Sequence, residues 1–245
     1  MRQQNKTDFT EEQYEAIYPD GIENHYWTKC RNKLVHKFTK KHHTTGKILE
    51  IGCGKGVVIN YLIEQGMEVY GVELADVSPL TAVKDKIWTN CDAKALPVNY
   101  CDQVETILLL DVIEHLQEPE SFLQQIKEQF KKLKTIIITV PAREELFSNY
   151  DEFNGHFRRY NLEMLRHTAD SIQAKIVYQT YLYHLLYFPT KIILSLSGKR
   201  ATDIKPPKGI MIGLHAIIAK CLQLDSLIFP KKWKGTSIIS VIQIN

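Results

Sequence analysis

Residues 47–56 read KILEIGCGKG, and this stretch decides the fold of the chain. The apolar run over residues 47–51 predicts a buried β-strand, and the glycines after it predict a tight turn. Residues 57–65 have a helical pattern and are followed by Gly66, which predicts a helix that ends at a glycine. A strand, a glycine-rich turn and a helix make up the first unit of an α/β domain.

Further strands and helices are predicted on the carboxyl side of this unit. Strands are expected over residues 67–73, 87–91, 104–110, 134–140, 174–180 and 236–244, with one helix over 118–131 and another that Asn161 caps. Strands that alternate with helices predict a doubly wound α/β fold with a mostly parallel seven-stranded sheet.

The remaining segments predict helical additions to the sheet. Residues 1–45 are expected to form an N-terminal helical segment and residues 46–245 the main domain. Within that domain, residues 141–160 form a polar and aromatic loop. Residues 181–235 hold apolar helical stretches broken by prolines, so we expect a helical cap inserted before the last strand.

Composition narrows the class of protein and its location. The formal net charge of +3 is too small to indicate a nucleic-acid partner. The five cysteines form an odd set without a C-x-x-C pair, which indicates reduced thiols in a cytoplasmic protein. Residues 1–13 carry no apolar stretch, so no secretory signal is expected. Polar residues and a proline interrupt residues 181–196 and 209–224, so a transmembrane helix is not expected.

The glycine-rich turn at residues 52–56 predicts a ligand site, although a tight turn without a ligand is the alternative. Glycines at a strand-to-helix turn let a ligand approach the backbone and a helix N-terminus. Glu73, at the end of the second strand, is placed to accept hydrogen bonds from ribose hydroxyls. The dinucleotide fingerprint needs a glycine where this chain has Val57, and Glu50 suits a ligand with an ammonium group better than a pyrophosphate.

Four motifs resemble those of class I S-adenosylmethionine methyltransferases, in the same order. Residues 49–56 (LEIGCGKG) match the first motif, and Glu73 matches the ribose-binding acid. Residues 91–93 (CDA) lie where the family has an acid near the adenine amino group, and residues 110–116 (LDVIEHL) match the segment after the fourth strand. The resemblance implies a Rossmann-like sheet with an antiparallel last strand. It also implies methyl transfer from S-adenosylmethionine, with S-adenosylhomocysteine as product and no metal.

The resemblance assigns cofactor-binding roles to thirteen residues. They are Glu50, Gly52, Cys53, Gly54, Gly56, Glu73, Leu74, Asp92, Ala93, Asp111, Val112, Trp27 and Arg31. Trp27 and Arg31 lie one helical turn apart, where they can cover the cofactor. Other interpretations remain open: Asp111 can cap the next turn, Glu73 and Asp92 can be solvated strand ends, and Trp27 can be a packing residue.

Two flanking segments resemble a bacterial subgroup of small-molecule methyltransferases. They are residues 23–31 (ENHYWTKCR) and residues 151–160 (DEFNGHFRRY), and the second follows the fifth strand on the acceptor side. The resemblance implies a base for a hydroxyl acceptor, with His156 as first choice and His115 as second. It also implies acceptor contacts by Arg158, Arg159 and Tyr160. A salt-bridged loop anchor is the alternative for His156.

The predicted function is methyl transfer to a small-molecule acceptor, as an O-methyltransferase of a biosynthetic pathway. An RNA methyltransferase is an alternative, although residues 110–116 lack the Asn/Asp-Pro-Pro-aromatic motif of many amino-methylating enzymes. A non-catalytic protein that binds the cofactor or a membrane surface is another. The aromatic, lysine-flanked run at residues 181–199 suits a bilayer interface or a lid over a lipid-like acceptor.

Overall fold

The structure is a computed structural model that describes residues 11–244. Of the stretch expected to lack a secretory signal, residues 1–10 lie outside the described residues. All five cysteines are described and are free thiols.

A single seven-stranded sheet organises the described chain. Its strands are β1 (Lys47–Ile51), β2 (Val69–Val72), β3 (Ile87–Trp88), β4 (Val104–Leu110), β5 (Thr135–Pro141), β6 (Ala174–Leu182) and β7 (Ser237–Ile244). Their spatial order is β3-β2-β1-β4-β5-β7-β6; β7 pairs antiparallel with both β5 and β6, and the other pairs are parallel. The predicted doubly wound Rossmann-like fold with an antiparallel last strand is therefore confirmed. The third strand is shorter than predicted, because Asn90 turns the chain with a φ of 50°.

Nine helices accompany the sheet in the described part of the chain. They are α1 (Glu11–Ile17), α2 (Tyr26–His42), α3 (Val57–Glu64), α4 (Val98–Cys101), α5 (Pro119–Gln129), α6 (Asn149–Phe153), α7 (Leu162–Ser171), α8 (His184–Ser197) and α9 (Met211–Ile228). The predicted cap at Asn161 is present, since its side chain accepts a 2.8 Å hydrogen bond from the backbone N–H of Met164.

The core lies on both faces of the sheet. In β4, Ile107 and Leu109 point into one apolar layer with α5 and α7, whereas Leu108 and Leu110 point into the other. The second layer is filled by α2, α3 and α9. This alternation follows from the two-residue repeat of a β-strand, and it explains why a strand buried on both faces is apolar throughout.

Helix α9 is long and apolar enough to cross a membrane, judged by length and composition alone. It has 18 residues with a mean hydropathy of 1.4, although the sequence interpretation took His215 and Lys220 as interruptions. One such helix is weak evidence for a membrane span. Ala219 and Leu222 pack into the core against α2, so one face of α9 belongs to the folded domain.

Candidate active site

The glycine-rich turn joins the end of β1 to the start of α3. Gly52, Gly54 and Gly56 all have positive φ, at 74°, 54° and 81°. A Cβ atom at Gly52 would lie 2.9 Å from the Val112 side chain, and one at Gly54 would lie 2.5 Å from the Tyr18 ring. The turn therefore needs glycine for its backbone conformation and for close approach by its neighbours.

Glu73 lies beside this turn and is buried. Its carboxylate accepts hydrogen bonds from the backbone N–H of Gly54 at 2.8 Å and of Ala75 at 3.0 Å. The hydroxyl of Tyr14 donates a third bond at 2.8 Å. Glu73 is thus a fixed acceptor at the carboxyl end of β2, where a ribose is expected, and not a solvated strand end.

Two tyrosines of the N-terminal segment cover the turn. Tyr14 and Tyr18 stack with ring centroids 6.1 Å apart, and Lys55 Nζ donates to the backbone carbonyl of Tyr18 at 3.2 Å. Burial, reinforced by the charge of Glu73, raises the pKa of Tyr14, so its hydroxyl remains a donor. The sequence analysis missed both residues, and the only local signal was their spacing of four residues, which places them on one helical face.

Glu50 is a buried acid, and one of its carboxylate oxygens has no hydrogen-bond partner. The residue is 3% exposed and its Oε2 makes no hydrogen bond. The pKa of Glu50 is raised to about 8, mainly by burial, with smaller increases from the charges of Glu73 and Asp111 and an opposing decrease from Arg31. A ligand ammonium group would supply the missing donor and charge, so this site fits the amino-acid end of S-adenosylmethionine.

Helix α2 is joined to the end of β4 by an ion pair. Arg31 Nη1 lies 2.9 Å from Asp111 Oδ2, and the hydroxyl of Thr139 donates to Asp111 Oδ1 at 3.3 Å. The guanidinium of Arg31 stacks on Trp27 at 4.4 Å from the ring centroid. Trp27 and Arg31 therefore lie next to the predicted cofactor residues, and Asp111 connects the two elements instead of standing free.

The other predicted cofactor residues border the same edge of the sheet. The backbone N–H of Cys91 bonds to the carbonyl of Glu73 at 3.0 Å, which brings the segment after β3 close to the ribose acid. Asp92 accepts from the backbone N–H of Lys94 at 2.9 Å and caps a short turn. Cys53 and Ala93 are buried, and Leu74 and Val112 are half-buried. The roles of the thirteen residues in cofactor binding stay predictions.

His156 is oriented by a buried carboxylate. Its Nδ1 lies 2.9 Å from Asp151 Oδ1, and Arg159 Nε donates to the same oxygen at 2.8 Å. Although burial alone would raise it, the hydrogen bonds from His156 and Arg159 hold the pKa of Asp151 below its usual range. Asp151 is thus charged and fixes the position of the imidazole.

Glu114 and His115 bring two more titratable groups to His156. The two imidazole rings are 4.7 Å apart, and ligand atoms of Glu114, His115 and His156 all lie within 4.8 Å of one another. Burial, together with Asp111, raises the pKa of Glu114, whose carboxylate oxygens have no hydrogen-bond partner. Burial and the neighbouring His156 lower the pKa of His115 to about 4. This cluster can hold a proton or a metal ion, so the expectation of no metal stays untested.

The three predicted acceptor residues make structural contacts. Arg158 donates to the backbone carbonyls of Leu116 and Gln117 at 3.2 and 2.8 Å. Arg159 is buried on Asp151, and the hydroxyl of Tyr160, also buried, donates to the carbonyl of Ile113 at 3.1 Å. These contacts favour loop anchors over acceptor ligands for Arg159 and Tyr160, because neither exposes its polar group to the site.

The fold and the site together define a class of protein. A doubly wound sheet carries a glycine turn after β1, with the buried acids Glu50 and Glu73 beside it. A family model described as a methyltransferase domain matches residues 23–179, more than half of the chain. The chain belongs to this methyltransferase family, and the enzyme class predicted from the sequence is confirmed.

Individual relatives are distant. The ubiquinone biosynthesis O-methyltransferase of Leptothrix cholodnii is 25% identical over 93 residues, which are 35% of this chain and 40% of that protein. The match therefore spans less than half of that relative's length. Among solved structures, a Haemonchus contortus phosphoethanolamine N-methyltransferase aligns with a TM-score of 0.56 and 15% identity, covering 96% of this chain and 56% of that one. A small RNA methyltransferase aligns with a TM-score of 0.52 and 13% identity, covering 88% and 25%. Both structural likenesses concern the fold alone.

Proposed function

We propose that this methyltransferase methylates a hydroxyl oxygen of a small-molecule acceptor, in a biosynthetic pathway and in the cytoplasm. The observation that carries the proposal is the contact between His156 and the buried carboxylate of Asp151. It holds one ring nitrogen and leaves the other outside this contact, an arrangement suited to general-base catalysis. The names of the matched relatives, ubiquinone biosynthesis O-methyltransferases, support oxygen as the methylated atom.

The cofactor would be held by three acidic side chains at the carboxyl ends of β1, β2 and β3. Glu50 would accept from the amino group, Glu73 from the ribose hydroxyls and Asp92 from the adenine amino group. When bound, S-adenosylmethionine supplies an electrophilic methyl group on a sulfonium. The chain's contribution is to bind, to align the acceptor and to exclude water, with Tyr14 and Tyr18 covering the glycine turn.

His156 would take the proton of the acceptor hydroxyl as its oxygen attacks the methyl group. Asp151 would stabilise the imidazolium that forms, because its carboxylate is already hydrogen-bonded to Nδ1. A second route is favoured by the cluster of Glu114, His115 and His156. A divalent cation bound there would lower the pKa of the acceptor hydroxyl and replace the base.

The test is to follow a labelled methyl group into cell extract. The purified protein is incubated with methyl-labelled S-adenosylmethionine and a metabolite extract, which is then separated into organic, aqueous and RNA fractions. We expect label in a small molecule and its release by ether cleavage with boron tribromide. Label in RNA, or label that survives ether cleavage, would contradict the proposal.

A chelator separates the two routes for the proton. If His156 is the base, turnover is unchanged by EDTA and falls in His156→Ala. If a cation replaces the base, EDTA stops turnover and added Mg²⁺ or Mn²⁺ restores it. S-adenosylhomocysteine affinity is the control in both cases, since neither treatment touches Glu50 or Glu73.

A further inference from the structure

The inserted helices carry most of the exposed apolar surface of the described chain. Fourteen of the eighteen large apolar side chains that are exposed among the described residues lie between residues 185 and 233. That segment is about a fifth of the chain, so the surface is concentrated and not scattered. The largest exposed fractions there are 92% for Ile210, 84% for Leu196 and 74% for Ile228.

Helix α9 has two distinct faces. Ala219 and Leu222 pack on the core, and the buried Asp225 accepts from the backbone N–H of Leu185 at 3.1 Å through its Oδ2. A second stripe, which begins at Ile210 just before the helix, follows a spacing of three and four residues and is exposed along its length: Ile210, Leu214, Ile217, Cys221, Leu224 and Ile228. An amphipathic helix buries one apolar face, but α9 is apolar on both. Its outer stripe has no partner among the described residues.

Helix α8 continues this surface. Phe188, Ile192 and Leu196 are exposed at a spacing of four residues, and Trp233 lies beside Phe188 with ring centroids 6.5 Å apart. Tryptophan is enriched where a protein meets the boundary between lipid and water. The outer faces of α8 and α9 with Trp233 are called the insertion surface below.

Charge distinguishes the insertion from the rest of the chain. Residues 184–235 hold nine lysines and arginines against two acidic residues, a formal charge of +7. The whole chain carries +3, so the remainder carries −4. A segment that combines an exposed apolar surface with a strong positive charge complements an anionic lipid bilayer, in which apolar side chains enter the interface and lysines reach the head groups.

A second copy of the chain is a poorer partner for this surface. A symmetric dimer would place two segments of charge +7 against each other, and like charges across an interface oppose association. Interface cores are also depleted of lysine.

Helix α9 is held on the protein by the contacts of Asp225 and Ala219 with the domain. These contacts favour a helix that lies on the bilayer instead of crossing it.

We propose that the insertion surface docks this enzyme on anionic lipid bilayers as a peripheral membrane protein. The docking is separate from the glycine turn and from His156, so it does not depend on the proposed reaction. It adds a site of action for the enzyme that the methyltransferase fold does not require.

Vesicle flotation tests the proposal. The full chain is mixed with vesicles of phosphatidylcholine alone or with added phosphatidylglycerol, and the bound fraction is measured over a salt series. We expect binding to the anionic vesicles that weakens as salt rises. No binding to anionic vesicles, or equal binding to both kinds at all salt concentrations, would overturn the proposal.

Variants assign the binding to the insertion surface. Ile217→Glu with Leu224→Glu should lower vesicle affinity at least about tenfold, because two apolar side chains leave the interface and two negative charges enter. Lys220→Glu with Lys232→Glu should lower it by a similar factor, since each lysine near an anionic surface contributes roughly fivefold. The matched control is Val98→Glu, at a residue 75% exposed on a different helix, and it should bind like the unmodified chain.

Two further measurements keep these variants interpretable. Melting temperature and S-adenosylhomocysteine affinity should be unchanged in all of them, because every substituted side chain is exposed and lies outside the candidate site. Light scattering after gel filtration tests the second-copy alternative. If the unmodified chain binds no vesicles and forms a dimer that Ile217→Glu dissociates, then the insertion surface binds a second copy of the chain and not a bilayer.

Discussion

Substitution of Glu50 by glutamine should change the stability of this enzyme and its affinity for the cofactor in opposite directions. The buried carboxyl has a pKa raised from 4.5 to about 8, because burial disfavours its charged form. Between pH 4.5 and pH 8 the folded state therefore holds a proton that the unfolded state has released. As pH rises through this range, the free energy of unfolding falls. From pH 4.5 to pH 7 this difference in protonation lowers the free energy of unfolding by roughly 3 kcal/mol.

Glutamine keeps the shape of Glu50 and removes its titration. We expect Glu50→Gln to be more stable than the unmodified, ligand-free chain at pH 7, by up to roughly 3 kcal/mol or about 6–10 °C in melting temperature. The difference should shrink as pH falls toward 5. The same variant should bind S-adenosylhomocysteine about tenfold or more weakly, since it loses a charge-assisted hydrogen bond to the amino group.

Calorimetry and thermal melting across pH check both expectations. The bound ammonium group keeps Glu50 charged, so binding to the unmodified chain at pH 7 should release a proton. The binding heat should then depend on the ionisation enthalpy of the buffer, and this dependence should be absent in Glu50→Gln. A variant with unchanged affinity and no buffer effect in the unmodified chain would show that the amino group binds elsewhere. A lower melting temperature would contradict the burial argument.

Four more substitutions probe the site. Glu73→Ala should weaken S-adenosylhomocysteine binding at least about tenfold in calorimetry, and an unchanged value would place the ribose elsewhere. Tyr14→Phe should tighten binding up to about fivefold, because the tyrosine hydroxyl no longer competes for Glu73, whereas equal affinity would mean that both donors are accommodated. His156→Ala should lower turnover about 10²-fold with cofactor affinity intact, and Arg158→Ala should mainly lower the melting temperature. If folded His156→Ala loses cofactor binding, the loop faces the cofactor and its assignment to the acceptor side is wrong.

Local sequence predicted the glycine turn and the elements beside it well. The β1 strand, the glycine turn and α3 are contiguous in sequence, and their pattern depends on backbone conformation and two-residue or 3.6-residue repeats. Glu73 could be placed because it ends a neighbouring parallel strand, and the carboxyl ends of parallel strands meet at one edge of the sheet. The apolar β4 indicated burial on both faces, which the structure confirms.

The acceptor side was harder to interpret because its side chains find partners far away in the chain. Arg158, Arg159 and Tyr160 look like ligand-binding residues in sequence, but their donors reach backbone carbonyls and Asp151 in the structure. The spacing along the chain carries no information on such partners. A buried guanidinium must be paired, and only the packing of the loop shows which acid pairs it.

The sequence by itself determined the doubly wound fold and the methyltransferase class, because these follow from short-range patterns. Only the tertiary structure decided that Tyr14 reaches Glu73 and that Arg31 pairs with Asp111. It also decided which stripe of α9 is buried and which is exposed. These features depend on contacts between residues distant in sequence, and a helix that is apolar on both faces does not reveal from its own residues which face meets the core.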